Sequence, residues 1–464
     1  MLLYALYSPV WRQALILAWP MMLSHIFSTA MRTTDMILMG AFGPAAVAAV
    51  GLGDVWDRLV LQIGLGLGAG SIALISQETG VDRRDGNRSA DVVLTQVLIA
   101  GAVAGLPFVL LAWSIPGQLI GLLGPSPDVV ALAAQYLQIV FSSAPFRIMS
   151  LISSRALQGT GDTRTPMAVG VAANAANIVL SIALVTGCGP FPELGVPGVG
   201  WGTALANFLS AGAFIVLFLL PSTYLSLRLP PGGWDLAVTR QLLAVGVPRM
   251  LQGGYQSIIA FPFNALVLLF GTEAAAAYHI SMRIQQQVMA PMGRSYDTVT
   301  TILVGQNLGR RRHAESRKVG KGMLWLAAAT VGFVGICLLL SAPLAVRIFT
   351  DDAPTIAHGV WFLRTLSVGA PIFALHSVLS GLLTGAGDTR TGFYGSVMSQ
   401  TFFMLGLSYV ASVGLGLGLV GIYAGLLADH ISRTLWVARR FRSGIWIEEA
   451  EQMIDERRRG RSNE

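Results

Sequence analysis

The stretch APFRIMSLISSRALQGTGDTRT (residues 144–165) returns as APIFALHSVLSGLLTGAGDTRT (residues 370–391), at a constant offset of 226. Each copy is an apolar run of helix length that ends in the sequence GxGDTRT. Within the last nine residues the copies differ only at Gln158/Thr384 and Thr160/Ala386. Such self-similarity is the signature of an internal repeat. The chain is therefore predicted to contain two copies of one structural unit.

The composition indicates which class of protein carries this repeat. Hydrophobic residues make up 53% of the chain, charged residues make up 12%, and the mean hydropathy is +0.63. A soluble domain of this length would have too little polar surface, whereas a bilayer requires apolar runs of about 20 residues. The runs are continuous and do not alternate with period two, which excludes a β-barrel. The predicted fold is an all-α polytopic membrane protein with about twelve transmembrane helices.

The apolar runs are long, and several exceed the thickness of a bilayer, so tilted or bent helices are expected. They lie at residues 14–38, 46–77, 91–114, 129–156, 166–188, 199–220, 241–270, 274–305, 322–343, 357–384, 393–414 and 419–438.

Basic residues in the connections predict the orientation. They gather in alternate connections and in the C-terminal segment, while the intervening connections contain only Arg347. By the positive-inside rule, both termini and the two GxGDTRT turns are expected on the cytoplasmic side of a bacterial-type plasma membrane. The net charge of +7 then reflects topology, so no nucleic-acid partner is expected. The basic groups are Arg83, Arg84 and Arg88; Arg164; Arg228 and Arg240; residues 310–321; Arg390; and residues 439–461.

The repeat extends beyond the opening stretch and defines the lobes. Arg12, Gln13 and Pro20 correspond to Arg240, Gln241 and Pro248 at an offset of 228, which also carries Gly43 onto Gly271. Six helices per copy give two parallel, pseudo-symmetric lobes, for which a pocket between the halves is expected. The predicted domains are an N-lobe (1–220), a Pro- and Gly-rich cytoplasmic linker (221–238), a C-lobe (239–441) and a charged cytoplasmic tail (442–464).

Several motifs, in order and in both repeats, resemble the multidrug and toxic compound extrusion (MATE) transporters over nearly the whole chain. They are LAWPMMLSHIFSTAMRTTDMILMGAFG with AAVAAVGLG, ALQGTGDTRTP, AVGVPRMLQ and LVGQNLGRR. The resemblance implies a V-shaped bundle of two six-helix lobes that exports small amphipathic, often cationic compounds by alternating access. An inward proton gradient, or alternatively a sodium gradient, would drive export. A monomer in contact with membrane lipids is expected, without a cofactor.

Asp35 is the first candidate for coupling to the ion gradient. It lies within the first apolar run, where a charge requires a partner, a water-filled cavity or a task. It also matches the acidic position that the family uses for cation coupling in helix one. A carboxyl group in such a site can take up and release a proton. The alternative is a structural ion pair with Arg32, one helical turn earlier.

Polar residues in the fifth run form a second candidate group. Asn174, Asn177 and Ser181 share one helical face. Asn177 fits an asparagine position of the proton-coupled DinF-type branch, whereas Ser181 stands where archaeal relatives of that branch carry an acid. These three residues are predicted to assist Asp35. Alternatively, they only join helices by hydrogen bonds.

Two acids in the second run have an ambiguous role. Asp54 and Arg58 are spaced i, i+4 and can form an ion pair on one face of a helix. That pairing leaves Asp57 without a local partner. Asp57 is predicted either to be an exposed carboxylate near the outer mouth or to contact a substrate.

The C-lobe departs from the sodium-coupled NorM-type branch. Gln252 stands at the position of that branch's glutamate in helix seven, and Phe373 and Ala374 lie near its aspartate in helix ten. Sodium prefers several hard oxygen ligands with net negative charge, so the DinF-type branch is favoured. Predicted substrate-binding residues in this lobe are Gln252, Tyr255, Phe261, Arg283, Gln286, Tyr296 and Asp297, with Asp57 from the N-lobe. An Arg294–Asp297 ion pair at i, i+3 is the alternative for Asp297.

Other function classes find less support. The GxGD turns do not follow a strand, and no Walker A, HExxH or Ser/His/Asp pattern is present, so no enzymatic activity is predicted. Two distant cysteines, Cys188 and Cys337, do not predict a metal site. A lipid or lipid-linked oligosaccharide flippase would need a large basic cavity. Arginines within the apolar runs keep that alternative open: Arg32, Arg58, Arg249, Arg283 and Arg294.

Overall fold

A computed structural model describes residues 9–81, 83–220, 224–227 and 234–462. All regular elements in this part of the chain are helical. The helices are α1 (Pro9–Gly40), α2 (Pro44–Gly80), α3 (Arg83–Ser114), α4 (Pro116–Gly121), α5 (Pro127–Ser142), α6 (Ala144–Thr160), α7 (Arg164–Thr186), α8 (Val196–Leu219), α9 (Leu236–Leu268), α10 (Thr272–Gly309), α11 (His313–Arg347), α12 (Ala353–Val368), α13 (Ala370–Ala386), α14 (Arg390–Ser399), α15 (Leu419–Ser443) and α16 (Ile445–Ser462). Two π-helical segments, Gln400–Leu407 and Val410–Gly414, follow α14.

The long helices agree with the predicted membrane spans. Within the described ranges, seven helices are long and apolar enough to cross a bilayer by themselves, and the pairs α5–α6 and α12–α13 qualify as bent spans. Helices α9, α10 and α15, of 33, 38 and 25 residues, occupy the seventh, eighth and twelfth predicted runs. Large apolar side chains such as Trp325 and Leu340 are each 75% exposed, as expected for surfaces that face lipid. The all-α polytopic fold is confirmed.

The opening stretch of the repeat begins at a bend in both copies. Helices α5 and α6 meet at Ser143 at an angle of 49°, and α12 and α13 meet at Gly369, the same repeat position, at 46°. Pro145 and Pro371 follow two residues later. Proline lacks an amide hydrogen and its ring clashes with the preceding turn, which disrupts a continuous helix. The expected bending of long spans is therefore observed here.

The end of the stretch forms the same turn in both copies. Gly161 and Gly387 have φ values of 94° and 90°, a region that favours glycine. Asp162 Oδ1 accepts hydrogen bonds from the amides of residues 164 and 165, at 3.1 and 3.0 Å. Asp388 Oδ1 accepts from the amide of Thr391 at 3.1 Å. The sequence GDTR, present in both copies, thus forms the same turn, in which the aspartate accepts hydrogen bonds from the first amides of the next helix.

Two glycines of the second copy allow α13 and α10 to pack closely. A Cβ atom at Gly381 would lie 2.1 Å from the carbonyl oxygen of Asp297, and one at Gly385 would lie 2.6 Å from that of Thr301. Helices α13 and α10 therefore touch through their backbones, as small residues allow in membrane proteins. At Gly159, the counterpart of Gly385, the nearest backbone oxygen would be 3.2 Å away.

The chain divides into two compact units. The N-terminal unit contains Trp19–Gly246, and the C-terminal unit contains Val247–Ser462 together with the start of α1 up to Ala18. The sequence places the lobe boundaries at residues 220 and 239, whereas these units divide within α1 and within α9. The divisions lie next to Pro20 and Pro248, which are repeat partners.

Part of the predicted linker lies outside the described residues, namely residues 221–223 and 228–233. Its described portion is attached to the start of α3. Asp91 accepts hydrogen bonds from the amide and the hydroxyl of Ser226, each at 2.7 Å. The linker prediction ends at residue 238, but α9 already begins at Leu236.

The predicted charged tail is a packed helix up to Ser462. Helix α16 follows a turn at Gly444 with φ 77°. Trp446, Ala450 and Ile454, spaced four residues apart, are at most 4% exposed and form one apolar face. Two acids of α16 contact basic residues near the start of α11. Glu451 lies 2.9 Å from His313, the first residue of α11, and Asp455 forms an ion pair of 2.7 Å with Arg311 in the preceding turn. The sequence analysis considered only the charges of this segment and missed the apolar face formed by residues four positions apart.

Candidate functional site

Asp35 occupies the end of α1, facing α7. Its Oδ1 atom is buried and has no hydrogen-bond partner among the described residues. Ser181 in α7 lies beside the carboxyl group. Arg32 is exposed and acts electrostatically on both Asp35 and Asp54, yet the described contacts include no ion pair between Arg32 and Asp35. The carboxyl group thus lies in a largely enclosed position without a bound cationic partner.

The polar face of α7 connects this position to two other helices. Asn174 Nδ2 donates to Ser28 Oγ in α1 at 3.2 Å, and Asn177 Nδ2 donates to Thr203 Oγ1 in α8 at 3.2 Å. Ser181 Oγ lies 3.5 Å from Asn177 Oδ1, a marginal hydrogen bond. The structure therefore brings together the four residues predicted for cation coupling, at the junction of α1, α7 and α8.

A glycine in α8 makes room for this arrangement. A Cβ atom at Gly202 would lie 2.3 Å from Ser181 Oγ and 2.9 Å from the Ser181 amide nitrogen. Helices α7 and α8 are therefore in backbone contact behind Ser181. The Ser181 hydroxyl therefore packs against α8 as well as lying beside the carboxyl group of Asp35.

Asp54 and Asp57 do not have the partners expected from helical spacing. Asp54 Oδ1 accepts a hydrogen bond from the Tyr136 hydroxyl at 3.3 Å, and Asp57 forms an ion pair with Arg147 of α6. The side chains of Arg147 and Asp57 are 15% and 13% exposed, whereas Arg58 is exposed. Spacing along one helix detects only local neighbours, and Arg147 is 90 positions away. The expected Asp54–Arg58 pair is therefore absent from the described contacts.

Arg249 of α9 organises the polar groups of the C-terminal unit. Its guanidinium lies 2.9 Å from Asp297 Oδ2, 3.0 Å from Ser380 Oγ and 3.4 Å from Gln252 Oε1. Asp297, for which the sequence suggests Arg294 as a partner, is thus paired with an arginine from another helix. The ion pair joins α9, α10 and α13 within one unit.

Two predicted substrate residues face the eleventh span. Gln252 is buried and donates to Ser396 Oγ at 2.6 Å and to the Gly392 carbonyl at 3.4 Å. The Tyr255 hydroxyl is hydrogen-bonded to Thr401 Oγ1. In this conformation both polar groups serve to join α9 to α14 and the first π-helical segment.

The remaining predicted substrate residues have contrasting exposures. Phe261, Arg283 and Gln286 are exposed. Tyr296 is only 1% exposed, and its hydroxyl lies 2.8 Å from Thr330 Oγ1 in α11. The predicted stacking of a substrate on Tyr296 does not agree with this position, because the ring is enclosed between α10 and α11. The periodicity of α10 predicted a polar face but did not show which neighbour covers it.

Sequence reasoning gave no site role to several charged residues within the spans. Arg147 and Arg249 hold the acids described above, and a further ion pair joins Asp429 and Arg433 in α15 at 3.1 Å. The signal was available, because every charge within an apolar run needs a partner. For Asp57 and Asp297 the sequence could not supply the identity of that partner, whereas Asp429 and Arg433 are spaced i, i+4 within one helix.

An open apolar groove of about 980 Å³ lies on the C-terminal unit. Trp11, Met292, Phe333 and Pro371 contribute to its lining. The predicted substrate-binding residues do not line it. An apolar lining of this kind suits a lipid chain and gives no means of selecting a charged compound.

Comparisons with known proteins agree with the repeat. The model of the MatE family matches residues 20–183 and again residues 248–410. A probable multidrug resistance protein NorM of Thermotoga maritima is 28% identical over 453 residues, which cover 95% of this chain and 94% of that protein. A protein of the same name from Bradyrhizobium diazoefficiens is 30% identical, with 89% of each chain covered.

A solved structure shows the same fold. A MOP superfamily transporter from Pyrococcus furiosus superposes with a TM-score of 0.85 over 95% of this chain and 98% of that chain. The sequence identity is 22%, so the match concerns the fold alone.

Proposed function

Since the chain belongs to the MatE family, whose members are transporters and not enzymes, we propose that it exports small amphipathic organic compounds as a proton antiporter. The observation that carries the proposal is Asp35, an acid within a membrane span whose Oδ1 atom is buried without a hydrogen-bond donor. The relatives named as multidrug resistance proteins support the export of organic compounds.

A proton suits the environment of Asp35. Intramembrane acids mark ion pathways and proton relays when no cation neutralises them. Ser181 lies beside the carboxyl group, and Asn177 lies next to Ser181 on the same face of α7. Neutral groups of this kind can accommodate a protonated acid as well as a carboxylate. The acids Asp57 and Asp297 are less suited, since each already has an arginine partner.

Sodium coupling is the second candidate, because the relatives carry the name NorM. Against it, the C-terminal unit has Gln252 and Phe373 where the sequence resemblance places acids of the sodium-coupled branch. The proton-coupled DinF-type assignment therefore remains our proposal for the branch.

The coupling step follows from the charge of Asp35. An ion drives alternating access only if it binds one conformation more tightly than the other. Protonation removes the negative charge from the enclosed carboxyl group and thereby favours a conformation in which the site is drier. We assign the accompanying bend to α1 near Pro20, where the ring removes a backbone hydrogen bond.

Substrate recognition is proposed to depend on competition between cations. A cationic compound that approaches Asp57 or Asp297 meets a carboxylate already bound by Arg147 or Arg249. The exposed Phe261, Arg283 and Gln286, with Tyr255, would contact the apolar and polar parts of the compound. Displacing an arginine is costly, so aromatic contacts must supply part of the affinity.

Transport in proteoliposomes tests the coupling ion. An amphipathic cationic dye, ethidium, should be exported under an imposed proton gradient and not under a sodium gradient alone. Asp35→Asn should bind the dye and fail to transport it, while the exposed control Asp128→Asn should behave like the parent. Export driven only by sodium would favour the second candidate. Parental transport by Asp35→Asn would place the coupling residue elsewhere.

The proposed orientation places both termini and both GxGDTRT turns in the cytoplasm. Single cysteines at positions 164 and 390, in a chain with Cys188 and Cys337 replaced by Ala, should resist an impermeant maleimide in intact cells. They should react after the membrane is opened. Labelling of position 164 in intact cells would contradict the parallel two-lobe topology.

A further inference from the structure

The apolar groove on the C-terminal unit has no part in the export mechanism above. Its lining comes from the start of α1, from α10, from α11 and from the bend between α12 and α13. On α11 the lining extends from Leu326 to Leu339. This distance corresponds to about 20 Å along a helix, whereas one leaflet accounts for about half of the roughly 30 Å of hydrocarbon in a bilayer. The groove is therefore long enough for an acyl chain of one leaflet.

Small residues on α11 leave room for the groove. Ala328, Ala329 and Gly332 belong to its lining. A Cβ atom at Gly332 would lie 3.5 Å from the ring of Pro371, so α13 lies close to α11 at this level. A hydrocarbon chain in a depression between two helices contacts more side-chain atoms than a chain on a flat surface does, and each contact adds dispersion attraction. The shape of the groove therefore favours a bound chain over a passing one.

The polar groups in the lining are already engaged. Thr330 Oγ1 donates a hydrogen bond of 2.8 Å to the carbonyl oxygen of Leu326, and Ser367 Oγ donates one of 2.7 Å to that of Leu363. These are the two hydroxyl groups of the described lining. The groove therefore suits hydrocarbon and gives a polar compound little to bind.

One end of the groove lies at a boundary of the membrane. Trp11 Nε1 donates a hydrogen bond of 3.0 Å to the carbonyl oxygen of Gly322, the first residue of the ninth apolar run. Tryptophan is enriched at membrane–water interfaces. The groove extends from there towards the bend, since a Cβ atom at Gly335 would lie 2.8 Å from the carbonyl oxygen of Ser367. The bend divides its span into helices of 16 and 17 residues, so this end lies near the middle of the membrane.

A lysine continues the line of the groove beyond the boundary. Lys321 precedes Ala328 by seven residues and Gly332 by eleven, so the three lie within about 20° of one another around α11. Lys321 is exposed, and the described contacts include no ion pair for it. The third span, which corresponds to α11 in the repeat, has no basic residue from 89 to 114. The fold of a lobe therefore does not require this lysine.

The surroundings of Lys321 are positively charged. Arg12 of α1 is exposed at the same boundary, and α1 contains no acid between residues 9 and 34. Glu315 is the single acid of α11, and it lies 3.7 Å from Lys318. Basic residues at the end of a membrane span attract anionic lipid headgroups. A cationic boundary next to an apolar groove thus complements a phosphodiester that carries hydrocarbon chains.

We propose that the groove binds one anionic phospholipid, with an acyl chain against α11 and the bend of α12 and α13, and with its phosphate at Lys321 and Arg12. The occupant is a lipid because the groove takes hydrocarbon and its boundary takes an anion, and a free phosphate would use only the second feature. The bound lipid holds the start of α1 against α11, since both helices contribute to the lining. The site depends neither on Asp35 nor on the proposed transport function.

Native mass spectrometry of the purified full chain in detergent tests the headgroup preference. Dioleoyl phosphatidylglycerol and dioleoyl phosphatidylcholine, which have the same chains, are the two ligands. The first phosphatidylglycerol should bind at least fivefold more tightly than phosphatidylcholine, because two cations meet its net negative charge. Arg12→Gln/Lys321→Gln should reduce this preference below twofold. Arg164→Gln/Arg390→Gln, which removes two exposed arginines at the GxGDTRT turns, should retain it.

Filling the groove tests the position of the acyl chain. Ala329 is an exposed residue of the lining, so Ala329→Trp should fold and should weaken the first phosphatidylglycerol at least fivefold. The matched control Leu340→Trp, on the same helix and outside the lining, should bind like the parent. Phosphatidylglycerol with dibrominated chains gives a second measurement, because bromine quenches tryptophan emission on contact. It should quench the parent by a larger fraction than Trp11→Phe.

Several outcomes would overturn the proposal. They are equal binding of the two lipids by the parent, an undiminished preference in Arg12→Gln/Lys321→Gln, parental binding by Ala329→Trp, and equal quenching of the parent and Trp11→Phe. Inorganic phosphate at the concentration of the lipid should not displace it. Displacement by phosphate would show a site for free anions and would exclude a lipid as the specific occupant.

Discussion

The two GxGDTRT turns have the same backbone and different surroundings. Gly161 and Gly387 differ in φ by only a few degrees, and each aspartate accepts hydrogen bonds from the following helix. Asp388, however, also binds Arg440 of α15 at 2.7 Å, and Arg440 reaches Glu449 of α16 at 2.5 Å. No described ion pair involves Asp162. The repeat therefore determines local conformation, while the partners of each copy are specific to its own unit.

The same contrast applies to charges within the spans. Arg147 pairs with Asp57 in the N-terminal unit, whereas the repeat counterparts are Phe373 and, at the offset of Gly43, Gln285. One copy thus has an ion pair at positions where the other has an aromatic residue and an amide residue. Replacing the residues of one copy by those of the other, and measuring the free energy of unfolding, compares the two arrangements.

The largest expected effect is the loss of the Arg147–Asp57 pair. Arg147→Phe leaves a buried carboxylate without its cation and should destabilise the protein by roughly 3–5 kcal/mol. Arg147→Phe/Asp57→Gln, which copies the C-terminal solution, should recover most of this loss. Thermal unfolding in detergent, followed by tryptophan fluorescence, measures both variants. A double variant no more stable than the single one would show that the two solutions are not interchangeable.

Helix packing provides the second test of the comparison. Gly385→Ala places a methyl group 2.6 Å from a backbone oxygen that cannot move freely, so a loss of roughly 2–3 kcal/mol is expected. The matched change Gly159→Ala meets its nearest atoms at 3.1–3.2 Å and should cost roughly 1 kcal/mol. Thermal unfolding of the two variants measures the difference. Equal losses would mean that α2–α6 and α10–α13 are equally tight.

These contrasts show what the sequence can predict. Hydrophobic runs and glycine positions depend on local chemistry, and they predicted the spans and the turns at Gly161 and Gly387. Bending of long spans was expected, but its position at Ser143 and Gly369 was not predicted. That Asn174, Asn177 and Ser181 share one face of α7 could also be predicted, because helical spacing fixes their relation; their role in cation coupling stays a prediction.

The partners of charged residues could not be predicted in the same way. Asp57 and Asp297 pair with arginines of other helices that are distant in sequence. The partner of Asp429 is Arg433 on the same helix, in a run whose charges the sequence analysis did not consider. Pairing rules for i, i+3 and i, i+4 apply within one helix, so they could not identify Arg147 as the partner of Asp57 or Arg249 as a partner of Asp297. Burial of Tyr296 likewise depends on which face α11 covers, and helical periodicity does not contain that information.

A smaller effect is expected from the arginine that links the second GxGDTRT turn to α16. Arg440→Ala removes the link from Asp388 to Glu449, and since Arg440 is partly exposed the cost should be about 1 kcal/mol. The effect should appear mainly as faster proteolysis of α16 by trypsin. Lys318→Ala, which removes an exposed pair with Glu315, is the matched control and should leave α16 protected. Unchanged cleavage of Arg440→Ala would show that Trp446 and its apolar neighbours hold α16 without the link.

The smallest effect concerns a helix cap that only one copy possesses. Asp352 and Ser126 are N-cap residues at equivalent positions, at an offset of 226. Asp352 Oδ2 accepts a hydrogen bond of 2.9 Å from the Thr355 amide, whereas the Ser126 side chain forms no cap hydrogen bond. Asp352→Ala should therefore increase hydrogen exchange at the start of α12, and Ser126→Ala should leave the start of α5 unchanged.

The pH dependence of that cap has a definite sign. Hydrogen bonds from Thr355 lower the pKa of Asp352 below its ordinary value. A group with a lowered pKa in the folded state stabilises the protein above its unfolded pKa, and this contribution is lost as the pH falls through the folded value. The difference in exchange between the parent and Asp352→Ala should thus be full at pH 7 and should shrink below pH 4, when measured on the peptide covering residues 349–360. A difference that persists undiminished at pH 2.5 would mean that the ionised carboxylate is not what caps α12.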